Sequence, residues 1–331
     1  MALAPEIKQR TAFESDRRAR LSVPATAGGV LFLLSAIILN AALKELPTVG
    51  LVQGLEPALR GEAAPTLSPR TAEVRYIDHH AFGLIAGNLL TALAILGLTL
   101  VLLFLWDSTR FRRAQTWPVG RPLVLIGGIG YALLNLIHEV ILAIQAHSFV
   151  GGKDFSSKAV ERALLTSGSL GILLTLLGLL AALGLTVGMI ATMVGAQRAG
   201  LLPRWLSVIG MLAALLFLPL FGTSFVTAFI PAFWLVATGM LLWERWPGGD
   251  PPAWAAGEAI PWPTASRQQS AQQSGQQSGQ GSTGNPTKGE QPTGLGQRFR
   301  GALGGGEPAA EIAPPPTPVA GGSRRKRRKR N

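Results

Sequence analysis

The chain has no cysteine and few charged residues, and these two shortages exclude several classes of protein. Without cysteine there are no disulfides, thiolate metal sites, iron–sulfur clusters or cysteine nucleophiles. Only 15% of the 331 residues are charged, against about 25% in an ordinary soluble domain. The apolar residues lie in long unbroken blocks, and most of the polar ones follow in a single tail. A single soluble globule is therefore excluded.

Motifs of the common enzyme classes are also missing. No phosphate-binding glycine loop, His-Glu-x-x-His sequence, pair of carboxylates or nucleophile elbow stands where its mechanism would need it. Gly127, Gly128 and Gly130 lie inside an apolar block with no strand before them, so they do not form a nucleotide-binding fingerprint. These absences favour a protein without enzymatic activity.

Six apolar blocks approach or exceed the length of about 20 residues that a membrane-spanning helix needs. They are residues 25–43, 81–106, 122–146, 164–195, 205–221 and 225–243. Pro219, Gly222 and Pro231 argue against one long helix over the last two blocks. The sequence thus predicts an all-α protein, a polytopic bundle of six transmembrane helices within residues 25–246.

Orientation follows from the basic residues between the blocks. With the N-terminus inside, twelve Lys and Arg residues fall in the inner segments and seven in the outer ones. Four tryptophans fall at the inner boundaries: Trp106, Trp205, Trp243 and Trp246. Both features predict a bacterial inner-membrane protein with both termini in the cytoplasm.

Residues 1–24 form a basic segment that we assign to the cytoplasm. The alternative is that this leader and the first block form a cleaved signal peptide. The block 25–43 is longer than the 7–15 residues usual for the apolar part of such a peptide, so a retained span is the prediction.

Two pairs of glycines are spaced one helical turn apart inside the spans. Gly83 and Gly87 form one pair, and Gly184 and Gly188 form the other. This spacing allows close approach of two helices, either within the bundle or between two copies of the chain. Packing within the bundle is the prediction, because six helices need many such contacts.

Residues 247–331 have a different composition, with Gly/Pro stretches and three tandem Gln-Gln-Ser-(Ala/Gly) repeats. Such a segment buries too little apolar surface to offset chain entropy, so it is predicted to be a disordered cytoplasmic tail. Seven consecutive basic residues precede its last residue: Arg324, Arg325, Lys326, Arg327, Arg328, Lys329 and Arg330. They fit binding to anionic lipid or to RNA, or a merely solvated terminus.

Three segments suggest a family. The run 202–210 has the sequence Leu-Pro-Arg-Trp-Leu-Ser-Val-Ile-Gly, residues 27–31 read Ala-Gly-Gly-Val-Leu, and the stretch 251–263 is rich in Pro and Trp. Together they resemble a family of uncharacterised multi-pass membrane proteins of bacteria, especially actinobacteria, over about residues 25–263. The resemblance implies a membrane bundle and no particular activity.

The polar residues inside the spans define one candidate site. On the third span Tyr131, Asn135, His138 and Glu139 lie near one face, and Asn88 lies at nearly the same depth on the antiparallel second span. Glu139 is about 10 Å from the outer end of its span at 1.5 Å per residue. A buried carboxylate needs a partner, and Asn88 and His138 are the nearest candidates.

Three interpretations of this site remain open. It is a structural polar cluster, a proton- or ligand-responsive site for transport or sensing, or a metal or haem site using His80 with His138 or His147. No cofactor is required, although haem or a divalent metal stays open. The leading functional prediction is a transporter-like or sensory membrane protein. The alternatives are a scaffold or assembly factor acting through the basic tail, and a membrane redox protein.

Overall fold

The computed structural model describes residues 5–47, 60, 68, 70–113, 117–166, 168–221, 225–247 and 249–262. In these residues all regular secondary structure is helical, which confirms the all-α prediction. The helices are α1 (Pro5–Leu43), α2 (Thr71–Arg112), α3 (Gly120–Gly151), α4 (Ser157–Ala163), α5 (Ser169–Arg198), α6 (Arg204–Leu216), α7 (Phe225–Leu242) and α8 (Pro252–Ala256). A 3-10 turn, Pro219–Phe221, follows α6. All of them belong to one unit, Met1–Ala271.

Four of these helices, α1, α2, α3 and α5, are long and apolar enough to cross a membrane. The other two predicted spans correspond to shorter helices, since α6 has 13 residues and α7 has 18. The chain breaks between them near Pro219, as the sequence indicated, so 205–243 is not one helix. The turn at 222–224 and most of the loop between α1 and α2 lie outside the described residues.

The fourth span does not begin at residue 164 as predicted. A polar helix, α4, ends at Ala163, and Leu165 and Gly168 then adopt backbone φ angles of 55° and 95°. These left-handed conformations interrupt the helix, so α5 begins only at Ser169. The overlong apolar block is therefore a turn followed by a 30-residue helix.

The six longer helices pack in a closed ring, and α2 is the most buried of the four long ones. Around the ring α1 packs against α2, α2 against α3, α3 against α5, α5 against α6, α6 against α7, and α7 against α1. Helix α2 also contacts α5 across the ring. Most residues of its middle turns are buried, with Ile95, Leu98, Val101, Leu102 and Leu105 inaccessible to solvent, whereas Leu93 and Leu100 are 45% and 50% exposed. A helix that packs against neighbours on most of its faces needs apolar side chains on most of them.

The paired glycines serve contacts within the bundle, as predicted. Gly83 and Gly87 of α2 lie against α1, and Gly184 and Gly188 of α5 lie against α3. A Cβ at Gly188 would approach the backbone nitrogen of Val124 to 2.8 Å. Larger side chains would therefore separate helices that touch through their backbones.

We call the end of the bundle that holds the N-terminus of α1 the lower end, and the opposite end the upper end. At the lower end, α1 is one continuous helix through Pro24, so no structural boundary separates the basic segment from the first span. Arg18 is buried there and binds Asp250 through both terminal nitrogens, at 3.1 and 2.7 Å. It also donates to the carbonyl of Leu241 at 2.7 Å. The chain after α7 is thereby tied to α1.

The segment 249–262 closes the lower end. Trp254 of α8 is buried, stacks on Phe104 with ring centroids 5.7 Å apart, and lies 5.0 Å from the guanidinium carbons of Arg18 and Arg112. Arg112 also donates to the carbonyl of Ala253 at 3.0 Å. The prediction of disorder is thus wrong for these residues, because cation–π contacts and two arginines stabilise a segment whose composition alone would not fold. Residues 263–331, with the basic run, lie outside the described residues.

Candidate functional site

A cavity opens at the upper end because two helices of the ring, α6 and α7, do not extend as far upward as α1. Gly29 of α1 packs against Ala232 and Val236 of α7, which places the first residue of α7, Phe225, near the level of Ile37. Helix α1 continues to Leu43, about 9 Å further at 1.5 Å per residue. Since α6 and α7 lie between α5 and α1 in the ring, the described helices leave a gap between α5 and α1 at this level.

The cavity has a volume of about 620 Å³ and lies between α1, α2, α3 and α5, above the turn that joins α6 to α7. Its walls are mainly apolar, with Phe32 and Ile95 among its deeper residues and Leu43 near the upper end. Seven polar side chains from three helices also line it: Ser35, Asn40, Asn88, Thr91, Tyr131, Asn135 and His138. Lys44, Thr175 and Thr227 are further polar residues of the wall. Four of the five residues of the predicted polar site are among the seven.

Asn88 and Asn135 join α2 to α3 directly. The Asn135 amide donates to Oδ1 of Asn88 at 3.3 Å, and the Asn88 amide donates to the carbonyl of Leu84 at 3.0 Å. Nearby, the Ser35 hydroxyl donates to the carbonyl of Gly87 at 2.8 Å and lies 2.5 Å from the hydroxyl of Thr91. These bonds hold three helices in register around the cavity.

Tyr131 and His138 have hydrogen-bonding groups that the described residues do not use. Among the described residues, neither the Tyr131 hydroxyl nor the His138 ring has a hydrogen-bond partner, and both side chains are partly buried in the cavity wall. The Tyr131 ring packs edge-on against Phe217, with centroids 6.1 Å apart. A phenol and an imidazole can each donate and accept, so together they can bind a polar group on a ligand.

Glu139 does not take the place that the sequence suggested. It is half-buried on α3 but is not part of the cavity wall, and it has no hydrogen-bond or ion-pair partner among the described residues. Asn88, the expected partner, bonds to Asn135 instead. The polar contact between α2 and α3 is therefore an amide pair, and the predicted pairing of Glu139 with Asn88 is wrong.

The three histidines considered as metal ligands have separate surroundings. His80 stacks on Tyr76 with centroids 4.0 Å apart, and its Nδ1 lies 3.0 Å from the Tyr76 carbonyl. His147 lies with Nδ1 3.0 Å from Oδ1 of Asp78, and this pair links α3 to α2. His138 lines the cavity. In the part of the chain that the structure describes, no three His, Asp or Glu side chains converge to hold a metal ion.

Several lining residues were missed by sequence reasoning. Ser35, Asn40 and Thr91 lie within apolar blocks, and Lys44 follows the first block. Small hydroxyl side chains in transmembrane helices usually bond to their own backbone, as Thr91 does to the Gly87 carbonyl at 3.2 Å. Only their place on the same cavity as Asn88 and Asn135 would have indicated a role for them, and that place depends on how the helices pack.

Comparison of the chain with models of protein families, with curated proteins and with solved structures finds no match. The resemblance to bacterial multi-pass membrane proteins therefore stays a prediction.

Proposed function

We propose that this protein is a multi-pass protein of the bacterial inner membrane that binds a small molecule in the upper cavity, as a transporter or a sensor does. The observation that carries the proposal is the convergence of seven polar side chains from α1, α2 and α3 on one cavity between otherwise apolar helices. Polar residues at membrane depth are costly and most often mark a pathway or a binding site.

The chemistry of the cavity indicates the kind of molecule. Sites for small ligands commonly measure about 300–1,000 Å³ and combine apolar walls with a few polar groups. A largely apolar molecule with one hydrogen-bonding group matches a volume of about 620 Å³ with Tyr131, His138 and the amide pair at one side. The gap between α5 and α1 would let such a molecule enter from the surrounding lipid.

The proposed topology places the upper end outside the cell and both termini in the cytoplasm. Helices α1, α2, α3 and α5 cross fully, and α6 with α7 forms a hairpin that reaches only into the outer half of the bilayer. Helix α5 ends on the cytoplasmic side, and the hairpin returns the chain to that same side. The C-terminus is therefore cytoplasmic, as it would be if all six helices crossed the membrane. The twelve-to-seven excess of basic residues on the inner side supports the orientation.

The cysteine-free chain makes this topology directly testable. Lys153 and Glu258 are exposed at opposite ends of the bundle, and each can be replaced by a single cysteine. In intact cells a membrane-impermeant maleimide should label Lys153→Cys, whereas Glu258→Cys should react only after lysis. Labelling of Glu258→Cys in intact cells would contradict the orientation.

Ligand binding is tested by filling the cavity. Gly178 of α5 lines it, and a Cβ at this position meets no atom within 4 Å. The Gly178→Phe variant should therefore fold and lose small molecules that purify with the wild-type protein, as detected by mass spectrometry. Gly151→Phe is the matched control, since Gly151 has equally open surroundings at the end of α3 but does not line the cavity. The proposal fails if all three proteins carry the same molecules or if none carries any.

A further inference from the structure

A second pocket lies at the lower end, far from the upper cavity. It has a volume of about 500 Å³ and is formed by the N-terminal turns of α1 and the C-terminal turns of α2. Three arginines line it, Arg10 and Arg17 from α1 and Arg110 from α2. Three positive side chains around one pocket produce a field that attracts an anion.

The two carboxylates in the pocket do not cancel this charge, because each already has another arginine as a partner. Glu14 binds Arg112 at 2.8 Å in a buried ion pair, and Asp107 lies 3.3 Å from Arg121. Arg17 approaches Asp107 only to 3.9 Å. The remaining positive charge in the pocket is therefore that of Arg10, Arg17 and Arg110.

Arg10 and Arg110 are available to a ligand. The Arg10 guanidinium lies 4.3 Å above the Phe111 ring, a contact that orients it without neutralising it. Arg110 is exposed and makes no hydrogen bond, ion pair or ring contact with any described residue. Planar guanidinium groups bind the oxygens of a phosphate in pairs, so these arginines suit a phosphate group better than a small spherical anion.

The depth of the pocket matches that of lipid headgroups. Arg18, next to Arg17, donates to the carbonyl of Leu241, two residues before the half-exposed Trp243. Tryptophans of this kind lie at the membrane–water interface. Phe13 at the pocket rim is 64% exposed and lies five residues before Arg18, about 8 Å nearer the water at 1.5 Å per residue, which is within the thickness of the headgroup layer. The pocket thus lies at the boundary between lipid and water.

We propose that this lower pocket binds a phosphate group through Arg10, Arg17 and Arg110, and that the phosphate belongs to an anionic phospholipid of the adjoining leaflet. A water-soluble phosphate compound offers the same chemistry and is the alternative source. The proposal does not depend on what the upper cavity binds.

The test compares two double variants that lose the same charge at the same end of the bundle. Arg10→Gln with Arg110→Gln removes two pocket arginines, and Arg198→Gln with Arg204→Gln removes two exposed arginines outside it. Thermal stability is followed while phosphatidylglycerol is titrated into phosphatidylcholine–detergent micelles. Wild type and the control should be stabilised alike, whereas the pocket variant should need at least about tenfold more phosphatidylglycerol. The effect in wild type should weaken as salt is added.

A second arm distinguishes the two sources of phosphate. Inorganic phosphate and glycerol 1-phosphate are added to the protein in phosphatidylcholine micelles. If only phosphatidylglycerol stabilises the protein, the bound phosphate belongs to a lipid. If the soluble compounds also stabilise the wild type but not the pocket variant, the phosphate site is supported and its assignment to a lipid is overturned. Equal responses of all three proteins, or no response at all, overturn the proposal.

If the double pocket variant does not fold, Arg110→Gln alone replaces it, because Arg110 contacts no described residue. Native mass spectrometry of the wild type then measures retention of phosphatidylglycerol against phosphatidylcholine. Preferential retention in wild type and its loss in Arg110→Gln support the site, and equal retention overturns it.

Discussion

The two ends of the helical bundle solve the burial of polar groups in opposite ways. At the lower end Arg112 binds Glu14 in an almost inaccessible ion pair, and Trp254 packs between the two buried arginines. At the upper end the cavity is lined mainly by amides and hydroxyls, with Lys44 as its one cationic lysine or arginine, and Tyr131 and His138 in its wall have no partners in the described part of the chain. The difference indicates that the buried charges of the lower end stabilise the fold, whereas the polar groups of the upper cavity keep hydrogen-bonding capacity that the described residues do not use.

The largest loss of stability is expected when one partner of the buried ion pair at the lower end is removed. Arg112→Leu leaves the Glu14 carboxylate, which is 8% exposed, without its partner. Breaking a buried pair in this way costs about 3–5 kcal/mol, so the free energy of unfolding in dodecyl sulfate titrations should fall by that order. Arg198→Leu, at an exposed position, is the control. The double variant with Glu14→Leu should regain much of the loss, and failure to do so would contradict the ion-pair explanation.

A smaller loss is expected from the aromatic ring between the arginines. Trp254→Ala removes a buried side chain that contacts Phe104, Arg18 and Arg112, and should cost about 3 kcal/mol in the same measurement. It should also release the segment 249–262, making it more sensitive to protease. Trp117→Ala, at a half-exposed position, should change neither. Unaltered protease resistance in the Trp254 variant would show that α8 does not close the lower end.

At the upper end single polar substitutions should cost less. Asn88→Leu removes the acceptor of the Asn135 amide and should lower the free energy of unfolding by about 1 kcal/mol. Glu139→Leu should not destabilise the protein, because Glu139 has no partner among the described residues. A larger loss for Glu139→Leu than for Asn88→Leu would restore Glu139 as the centre of the polar cluster.

The smallest effect is expected in the loop before α4. The backbone nitrogen of Ser156 donates to the Asp154 carboxylate at 2.9 Å, and this bond holds the pKa of Asp154 below its ordinary value. A depressed pKa stabilises the fold above the ordinary carboxyl pKa, and the contribution is lost as the pH falls through the lowered value. Asp154→Ala should therefore speed hydrogen exchange in α4 slightly near neutral pH. The difference in exchange rate between this variant and the wild type should vanish in acid. A difference that grows in acid would show that the Asp154 carboxylate is not its cause.

Much of the upper site could be predicted from the sequence. Asn88 and Asn135 lie at a similar depth and Tyr131 and His138 one turn to either side, because the lengths of two antiparallel helices place them there, and four helices are long and apolar enough to span, as the apolar blocks indicate. The partner of Asn88 could not be predicted, since it depends on rotations of α2 and α3 that hydropathy does not specify. Glu139 lies only about 100° around the helix from His138, yet it is not in the cavity wall.

By itself the sequence determined the helical class, the break near Pro219 and the glycine contacts within the bundle, but it predicted six spans where the structure has four long apolar helices and two shorter ones. These features follow from local composition and periodicity, which act over a few turns of helix. Only the tertiary structure decided that Arg18 meets Asp250 and that Arg112 meets Glu14, pairs separated by 232 and 98 residues. The order of the proline-rich segment after α7 was also decided by the tertiary structure alone, because the contacts that stabilise this segment come from side chains on α1 and α2.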